Sequence, residues 1–408
     1  MKVLHITTSL KGGAGIAALR LHKGLCKEGI ASAYLSINRT INYQNKDVED
    51  SFFTYKKPSV FLRLLQKIKR LLKPSLSQKW EGQLAKIKPH LSYEIISFPF
   101  SSFALEKHPL VQEADIINLH WVGGILDYPS FFKNVNKPIV WTLHDMNPFM
   151  GIFHYETDVK KNPKAKLIDE KMKEIKKKAI GFIKKGAIVS PSQWLLNLEK
   201  ESEFFSHFKI HSCIANSLLI EDGNITKENA RKELALDPNE NVILFTAASI
   251  DNPRKGMELL RKALDEVSVP LTLLILGKGS LSSANNRVKV IPLGFLTSEK
   301  EIFKCYRAAD VFVLPSREDN LPNTMLESLA QGTPVISFAN GGMKEVIVEG
   351  KYGMIVHEQT PTALRFALET FFKNKENYKS NDIKKFASEN FSHVRQAKAY
   401  KTIYESLL

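Results

Sequence analysis

Residues 315–327 read PSREDNLPNTMLE and follow the apolar run VFVL at 311–314. The pattern predicts a buried strand, a polar loop and a helix, with Thr324 as the helix N-cap and Gly332 at the helix end. Such a helix directs backbone N–H groups and the positive end of its dipole beyond the carboxyl end of the strand. A phosphate group binds well at that place, so the stretch predicts an anion site.

Two carboxylates flank the predicted anion site, with Asp319 on the loop and Glu327 in the first turn of the helix. Contact with a diphosphate would repel them, so we expect them to hydrogen-bond the hydroxyl groups of sugars on either side of one. Thr324 and Glu327 also fit a capping box, in which the glutamate needs no ligand. The residues alone leave both interpretations open.

The whole chain alternates short apolar strands with helical patterns, once from residue 3 to about 200 and again from residue 242. This alternation is typical of parallel sheets that are covered by helices on both faces. A chain of 408 residues is also too long for one ordinary core. We therefore predict an α/β protein with two Rossmann-like, doubly wound domains, residues 1–215 and 216–388.

The net charge of +15 is concentrated in two basic segments. Residues 56–89 hold ten Lys or Arg against one acid, with apolar residues at helical spacing in 60–73, and residues 160–185 hold eleven Lys against three acids. Such helices can lie on an anionic membrane surface, although a surface helix with its apolar stripe in the core fits equally well. Nothing that resembles a nucleic-acid-binding module accompanies the charge, so no nucleic-acid partner is expected.

Targeting signals and cysteine chemistry are not evident. The three cysteines are far apart without metal-ligand spacing, which favours a reduced, cytoplasmic compartment. Residues 1–9 read as a first strand rather than a signal peptide, and no run of eighteen apolar residues predicts a membrane span.

A glycine-rich turn, Gly12-Gly13-Ala14-Gly15, follows the first strand. Its glycines would let a ligand approach the backbone closely, or would simply make a tight turn. The G-x-G-x-x-G spacing of a dinucleotide fingerprint is missing, and no acidic residue ends the second strand. A nicotinamide-dependent dehydrogenase is therefore disfavoured.

Further polar side chains stand where predicted strands end, at the edge where α/β sheets bind ligands. His120 follows strand 116–119, and the pair His144-Asp145 follows strand 139–143. Arg254-Lys255 comes after strand 242–246 and precedes a helix. Two adjacent cations are what a leaving diphosphate needs, because they stabilise the negative charge that it gains.

In order along the chain, these motifs resemble the retaining glycosyltransferases of family 4, which have the GT-B fold. The resemblance rests on NLHWV at 118–122, WTLHD at 141–145, Lys255-Gly256, and the acidic-x7-Glu pattern that ends at Glu327, in which Asp319 replaces the usual Glu. It is similar to the branch that builds bacterial capsule, exopolysaccharide and lipopolysaccharide.

Two departures from the family pattern stand out. Ala248-Ser249-Ile250 occupies the place of the usual glycine-arginine pair, so Arg254 would have to supply the second cation. The cysteine cluster that often follows the His-Asp pair in related proteins is absent here.

The resemblance implies a GT-B architecture in which the two domains face a central cleft and residues 389–408 form a helix that crosses back to the first domain. It implies a metal-independent hexosyltransferase that uses a nucleotide-diphosphate sugar and a lipid-linked or oligosaccharide acceptor, at the inner face of the cytoplasmic membrane. A sugar-nucleotide epimerase of the same fold, or a non-catalytic sugar-nucleotide-binding protein, remains an alternative.

Site residues follow from the same resemblance. His144 and Asp319 are expected at the transferred sugar, and Asp145 and His120 on the acceptor side. The donor-binding set is Arg254, Lys255, Glu327, Asn323, Thr324, Leu296, Gly13 and Gly15. No metal ligand and no cofactor are expected.

Overall fold

A computed structural model describes residues 1–37, 52–54, 76–218, 225–279 and 281–408. The basic helical pattern at 60–73 lies outside these residues. The described chain forms two compact units, one made of Met1–Ile214 with Gln396–Leu408 and the other of Ala215–Arg395. No helix in the described ranges is both long and apolar enough to cross a membrane.

The first unit is built on a seven-stranded sheet with the order β3-β2-β1-β4-β5-β6-β7. All neighbouring strands in it run parallel. The strands are β1 (Lys2–Ile6), β2 (Ala31–Ser36), β3 (Phe52–Thr54), β4 (Ile116–Leu119), β5 (Ile139–Thr142), β6 (Gly186–Ser190) and β7 (Ile210–Cys213).

Within the described residues, seven α-helices and four short 3-10 helices connect these strands. The α-helices are α1 (Gly12–Lys27), α2 (Leu76–Ile87), α3 (Pro109–Glu113), α4 (Tyr128–Asn134), α5 (Glu156–Lys161), α6 (Lys166–Ile180) and α7 (Gln193–Ser202). The 3-10 helices are Lys88–His90, Leu105–Lys107, Asn147–Phe149 and Pro163–Ala165.

The second unit has a six-stranded parallel sheet with the order β10-β9-β8-β11-β12-β13. Its strands are β8 (Val242–Ser249), β9 (Leu271–Lys278), β10 (Val288–Gly294), β11 (Val311–Leu314), β12 (Val335–Phe338) and β13 (Gly353–Val356). Its helices are α8 (Lys227–Glu233), α9 (Met257–Asp265), α10 (Glu299–Ala308), α11 (Asn323–Ala330), α12 (Met343–Val346), α13 (Pro361–Lys373) and α14 (Ser380–Asn390), with 3-10 turns at Pro253–Lys255 and Lys375–Asn377.

Each sheet carries one core on each face, because successive strand residues point to opposite sides. In the first unit Leu4 and Trp141 belong to one core, whereas their neighbours Val3 and Val140 belong to the other. In the second unit the two cores likewise receive alternate residues of β8, with Leu244 on one face and Ile243 and Phe245 on the other. Burial on both faces explains why these strands are apolar throughout.

The terminal helix α15 (His393–Leu407) belongs to the first unit from Gln396 onward. Its buried Tyr400 and Tyr404 pack in the core on one face of the sheet. The Tyr404 hydroxyl accepts a 2.8 Å hydrogen bond from Asn118 Nδ2, and the Tyr400 hydroxyl lies 3.0 Å from Thr142 Oγ1. Buried hydroxyl groups thus join this helix to β4 and β5.

The structure corrects the predicted helix starts. Helix α11 begins at Asn323, and Pro322 rather than Thr324 occupies the N-cap position, so the capping box is wrong and Glu327 lies in the second turn. The helix therefore begins two residues earlier in the sequence than predicted. A proline is well tolerated there, because the N–H group that it lacks has no hydrogen-bond partner within the helix at this position. The helix does end before Gly332, which has φ +78°.

The glycine-rich turn was also misplaced. Helix α1 already begins at Gly12 after the extended residue Lys11, so the four residues of the predicted turn form its first turn. The strands β3, β7 and β13 were not predicted, because each is short and lies at an edge of its sheet, where a strand need not be apolar throughout. Helix α6 (Lys166–Ile180) lies within the basic segment 160–185, for which a helix was predicted, although Leu167 is 69% exposed and Lys176 is fully buried.

Candidate functional site

Parallel strands end at one edge of each sheet, so the loops that follow them lie together. In the second unit this edge carries Arg254 and Lys255 after β8, Leu296 after β10 and Asp319 after β11. The structure therefore brings the predicted donor-binding residues of this unit to one sheet edge.

Lys255 and Arg254 both contact Asp319. Lys255 Nζ lies 2.5 Å from Oδ2 of Asp319, and Arg254 Nη1 lies 3.4 Å from Oδ1. Arg254 Nη1 also donates to the Glu318 carbonyl at 2.8 Å. Asp319 is 9% exposed, while the side chains of Arg254 and Lys255 keep 15% and 24% exposure. A nearly buried carboxylate is thus clamped between two cations that still reach solvent.

Local structure positions the two cations. They lie in the 3-10 turn Pro253–Lys255, where Asn252 Oδ1 caps the turn by accepting from Arg254 N at 3.0 Å. Gly256 follows with φ +73°, and a Cβ placed on it would lie 1.8 Å from the Pro315 carbonyl oxygen. Only glycine allows this close approach, so the Lys-Gly pair holds the cations directly against the acidic loop.

A second glycine turn supports the same loop from the other side. Gly341 has φ +52°, and a Cβ there would lie 1.9 Å from the Asp319 carbonyl oxygen. Gly342 N donates to the Asn320 carbonyl at 2.7 Å. Backbone contacts from two sides therefore fix the position of Asp319.

Helix α11 places Asn323 and Glu327 on one face, four residues apart. Both side chains are 9% exposed, and Asn323 Oδ1 accepts from Asn216 Nδ2 at 3.1 Å. Thr324, between them in sequence, is half-buried. The first turn of this helix begins at the same sheet edge as Asp319.

The loop after β10 presents a different residue from the one expected. Leu296 is half-buried and packs against the core, whereas its neighbour Phe295 is 57% exposed. Lys278 Nζ lies 5.8 Å from the centre of the Phe295 ring. An exposed ring suits stacking on a nucleotide base better than a half-buried leucine does, and exposure could not be read from sequence.

The charge state of Asp319 follows from its neighbours. Burial alone would raise the pKa of Asp319, but the charges of Lys255 and Arg254 outweigh it and hold the pKa below its ordinary value. Asp319 is therefore ionised at neutral pH.

In the first unit, the glycines at the start of α1 have different surroundings. A Cβ on Gly15 would lie 2.3 Å from the Ser9 carbonyl oxygen, so this glycine is required by packing against the preceding loop. Gly13 is exposed. Of the two, only Gly13 presents its backbone to solvent.

Three buried histidines form a hydrogen-bonded row across β1, β4 and β5. His5 Nδ1 lies 2.9 Å from His120 Nε2, and His120 Nδ1 lies 3.1 Å from His144 Nε2. Burial lowers the pKa of His144 to about 4, although the charge of Asp145 acts in the opposite direction. The pKa values of His5 and His120 also lie well below the usual range because of burial and neighbouring imidazoles.

The row is therefore uncharged at neutral pH. Sequence reasoning found His120 and His144 but missed His5, which looked like an ordinary strand residue. Only the order of the strands in the folded sheet, which places β1 beside β4, brings His5 next to His120.

Asp145 is engaged in a buried network of its own. It accepts from Trp121 Nε1 at 2.8 Å and from Asn147 N at 3.0 Å, and its Oδ2 lies 2.6 Å from His154 Nδ1. Burial favours a higher pKa for Asp145, but His154 and these hydrogen bonds lower it overall. The carboxylate fixes the loop after β5 and holds His144 at the sheet edge.

The network ends at Ser97, whose Oγ lies 2.8 Å from His154 Nε2. Ser, His and Asp are thus connected as in a hydrolase triad. However, Ser97 is 6% exposed, and a Cβ built on Gly123 would lie 2.5 Å from its Oγ. The backbone of Gly123 leaves no room for an acyl group, so this row is structural.

Lys176 of α6 is a buried cation that the sequence did not reveal. Its Nζ donates to the Asn147 carbonyl at 2.6 Å and lies 5.4 Å from the centre of the Tyr128 ring. Burial lowers the pKa of Lys176 to about 7, against the pull of Asp169 and Asp145. It supports the same loop that carries His144 and Asp145.

His144, Asp145 and His154 line a small pocket at the sheet edge of the first unit, together with Trp121, Gly123 and Tyr128. Aromatic rings and uncharged imidazoles suit a neutral, hydroxyl-rich ligand. Within the described parts of the chain, no three His, Cys, Asp or Glu side chains are grouped to hold a metal ion.

The match to a known protein family lies in the second unit. Residues 240–374 match the family model described as Glycosyl transferases group 1. An uncharacterized glycosyltransferase of Methanocaldococcus jannaschii is 28% identical over 191 residues, which cover 44% of this chain and 48% of that protein. The D-inositol 3-phosphate glycosyltransferase of Segniliparus rotundus is 30% identical over 155 residues, or 33% of each chain. The chain thus spans about half the length of these curated relatives or less.

A solved structure extends the likeness to the whole chain. Anabaena Alr3699/HepE in complex with UDP and glucose aligns with a TM-score of 0.64 at 16% identity, and the alignment covers 100% of both chains. The fold is that of the GT-B glycosyltransferases. The GT-B fold predicted from the motifs is confirmed, with residues 240–374 in its second unit.

Acid should destabilise the first GT-B unit, because its buried histidines stay neutral while the unfolded chain takes up protons. Burial lowers the pKa of His22 to about 4, as for His144. The contribution of these histidines to the free energy of unfolding is therefore complete above pH 6.5. It decreases toward pH 4, by roughly 1.4 kcal/mol per pH unit for each histidine. Urea unfolding between pH 7.5 and 5, followed by tryptophan fluorescence, measures this unit because all four Trp lie in it.

His22→Gln should reduce the pH slope by about one proton. The matched control is His357→Gln at an exposed position of the second unit. If the free energy of unfolding of the unchanged protein did not vary with pH, the buried histidines could not be neutral in the folded state.

Proposed function

We propose that this protein is a retaining glycosyltransferase that moves a hexose from a nucleotide-diphosphate sugar to a saccharide acceptor. The observation that carries the proposal is the meeting of Arg254, Lys255, Asp319 and the start of α11 at one sheet edge. This edge lies within the residues that match the glycosyl transferases group 1 model. UDP and glucose are bound in the related HepE structure, which supports a sugar nucleotide as the donor.

The donor's diphosphate would bind Lys255 and Arg254, with the N–H groups of the first turn of α11 as further donors. Glu327 would hydrogen-bond the ribose hydroxyls, and Asn323 and Thr324 would line the site. The base would lie against the loop of Leu296 and Phe295. Side-chain cations can replace a metal here, because they stabilise the negative charge that develops on the leaving diphosphate.

Asp319 would contact hydroxyl groups of the transferred sugar. Among the described residues we assign no protein nucleophile, so we propose that the acceptor attacks on the face that the diphosphate leaves, through an oxocarbenium-like ion pair. The leaving phosphate then takes the proton of the acceptor hydroxyl. This route retains the anomeric configuration.

The rim of the first unit's pocket would contact a saccharide. Trp121, which is only half-buried, offers part of a ring surface, and neutral His144 can exchange hydrogen bonds with sugar hydroxyls without attracting competing anions. Asp145 would act through its neighbours rather than by direct contact, because three hydrogen-bond partners already surround it.

We further propose a lipid-linked acceptor, a role in bacterial surface polysaccharide synthesis and a place on the inner face of the cytoplasmic membrane. Basic surface supports this. Residues 160–185 expose most of their lysines, together with Leu167 at 69% and Phe182 at 46% exposure. Lysines beside exposed apolar side chains suit an anionic lipid surface. The segment 56–89 adds further positive charge.

Lys255→Ala should lower kcat/KM for the active sugar nucleotide roughly 100-fold, because one fixed cation at the developing charge is lost. Glu327→Ala should cause a comparable loss through the ribose. The matched control is Lys262→Ala, which removes a half-exposed lysine of the following helix α9. Transfer is measured with a panel of sugar nucleotides, and near-normal turnover of Lys255→Ala would show that the donor site is elsewhere.

Transfer should continue in EDTA, since the charge on the leaving group is held by side chains. The assay compares protein dialysed against chelator with protein to which Mg²⁺ or Mn²⁺ is added. Complete loss in EDTA that Mn²⁺ restores would refute a metal-independent mechanism.

Liposome flotation should recover more protein with anionic than with neutral lipid. Lys164→Glu with Lys178→Glu, both exposed, should reduce the recovery. Lys351→Glu with Lys379→Glu changes the net charge equally at exposed positions of the second unit and is the control. Equal recovery from both lipids would end the membrane proposal.

A further inference from the structure

Both cations of the proposed donor site are already paired with a carboxylate. Asp319 Oδ2 lies 2.5 Å from Lys255 Nζ, and Oδ1 lies 3.4 Å from Arg254 Nη1. Each carboxylate oxygen therefore faces one cation. The three side chains form a local group with a net charge of +1 instead of +2.

Asp319 is held in this place by the backbone, not by its side chain alone. The Gly256 turn contacts Pro315, and the Gly341 turn contacts the Asp319 carbonyl. Arg254 also binds the loop through the Glu318 carbonyl at 2.8 Å. Because the loop is fixed from both sides, the carboxylate is held near the two cations.

Any anion that uses Lys255 and Arg254 must compete with this carboxylate. A diphosphate brings more negative charge than Asp319 and can reach both cations, which remain partly exposed. It would replace Asp319 as their partner, and repulsion would then turn the carboxylate away from the phosphates.

We propose that Asp319 is a displaceable counter-ion that sets how tightly the site holds a diphosphate. The inference rests on the proposed donor site and adds to it a preference for the intact donor over the diphosphate product. An intact donor compensates the displaced carboxylate, because sugar hydroxyls donate hydrogen bonds to it. Pyrophosphate and a nucleoside diphosphate both lack the transferred sugar, so neither offers its hydroxyls to Asp319, and each must bind in competition with the carboxylate. Asp319 thus favours the intact donor over the product that must leave.

The experiment measures binding of inorganic pyrophosphate to the full-length protein by calorimetry, without metal. Asp319→Asn keeps the shape of the side chain and removes its charge, so it should bind pyrophosphate about tenfold more tightly, the equivalent of about 1.4 kcal/mol. Asp319→Glu, which keeps the charge, should remain within about threefold of the unchanged protein. Glu358→Gln removes one carboxylate from an exposed position after β13 and should also stay within that range.

A double variant locates the effect. With Lys255→Ala in the background, Asp319→Asn should gain less, because one of the two masked cations is gone. Thermal unfolding confirms that each variant is folded, and Asp319→Ser replaces Asp319→Asn if the latter is not.

The possible outcomes distinguish the counter-ion role of Asp319 from the existence of the donor site. Equal or weaker pyrophosphate binding by Asp319→Asn, while Lys255→Ala still weakens binding, would overturn the counter-ion role and leave the donor site standing. Equal binding by the unchanged protein and Lys255→Ala would overturn the donor site itself, and this inference with it. A tenfold gain that Glu358→Gln reproduces would also refute the inference, since general charge would then explain it.

Discussion

The parallel direction of the strands is the constraint on which both candidate sites depend. Within each unit the carboxyl ends of all strands lie at one edge of the sheet. Residues that are far apart in sequence therefore lie close together there. Arg254 and Asp319 follow β8 and β11, and these two strands are neighbours in the sheet. His120 and His144 follow β4 and β5, which are also neighbours. Burial of both faces of each sheet makes these pairings stable, and the polar loops at the edge remain available for chemistry.

The two edges differ in how they treat charge. In the first unit the histidines are buried among one another without a sufficient counter-charge, so they lose their protons. In the second unit Asp319 is also nearly buried, but two cations stand beside its oxygens and keep it ionised. Burial is common to both; the presence of opposite charges decides the outcome. One edge is therefore lined by neutral imidazoles and the other by a carboxylate paired with two cations.

Glycines contribute through backbone approach and not through flexibility. Gly256 and Gly341 each stand where a side chain would collide with the acidic loop, and both have positive φ. The Lys255-Gly256 pair and the Gly341-Gly342 turn thus have the same structural role, which is to hold one loop between two turns. Asp145 has a comparable supporting function in the first unit, where it joins Trp121, Asn147 and His154.

The sequence by itself determined the fold class and most of the strands, because continuous apolar runs between helical patterns have few other solutions in a parallel sheet. It also identified the residues at strand ends, among them Lys255, His144 and Asp319. It misjudged the start of α11, where Pro322 rather than Thr324 precedes the first turn. An N-cap residue contributes only about 1 kcal/mol, so tertiary contacts can shift the start of a helix by two residues.

Only the tertiary structure decided how these residues are used. That Asp319 is paired with two cations, that His5 completes a row with His120 and His144, and that Phe295 rather than Leu296 is exposed all depend on contacts between distant segments. Spacing along a chain sets which elements form, whereas the distances between side chains arise only when sheets and loops pack. Charge, burial and competition for hydrogen bonds belong to that second step, which is why no motif could reveal them.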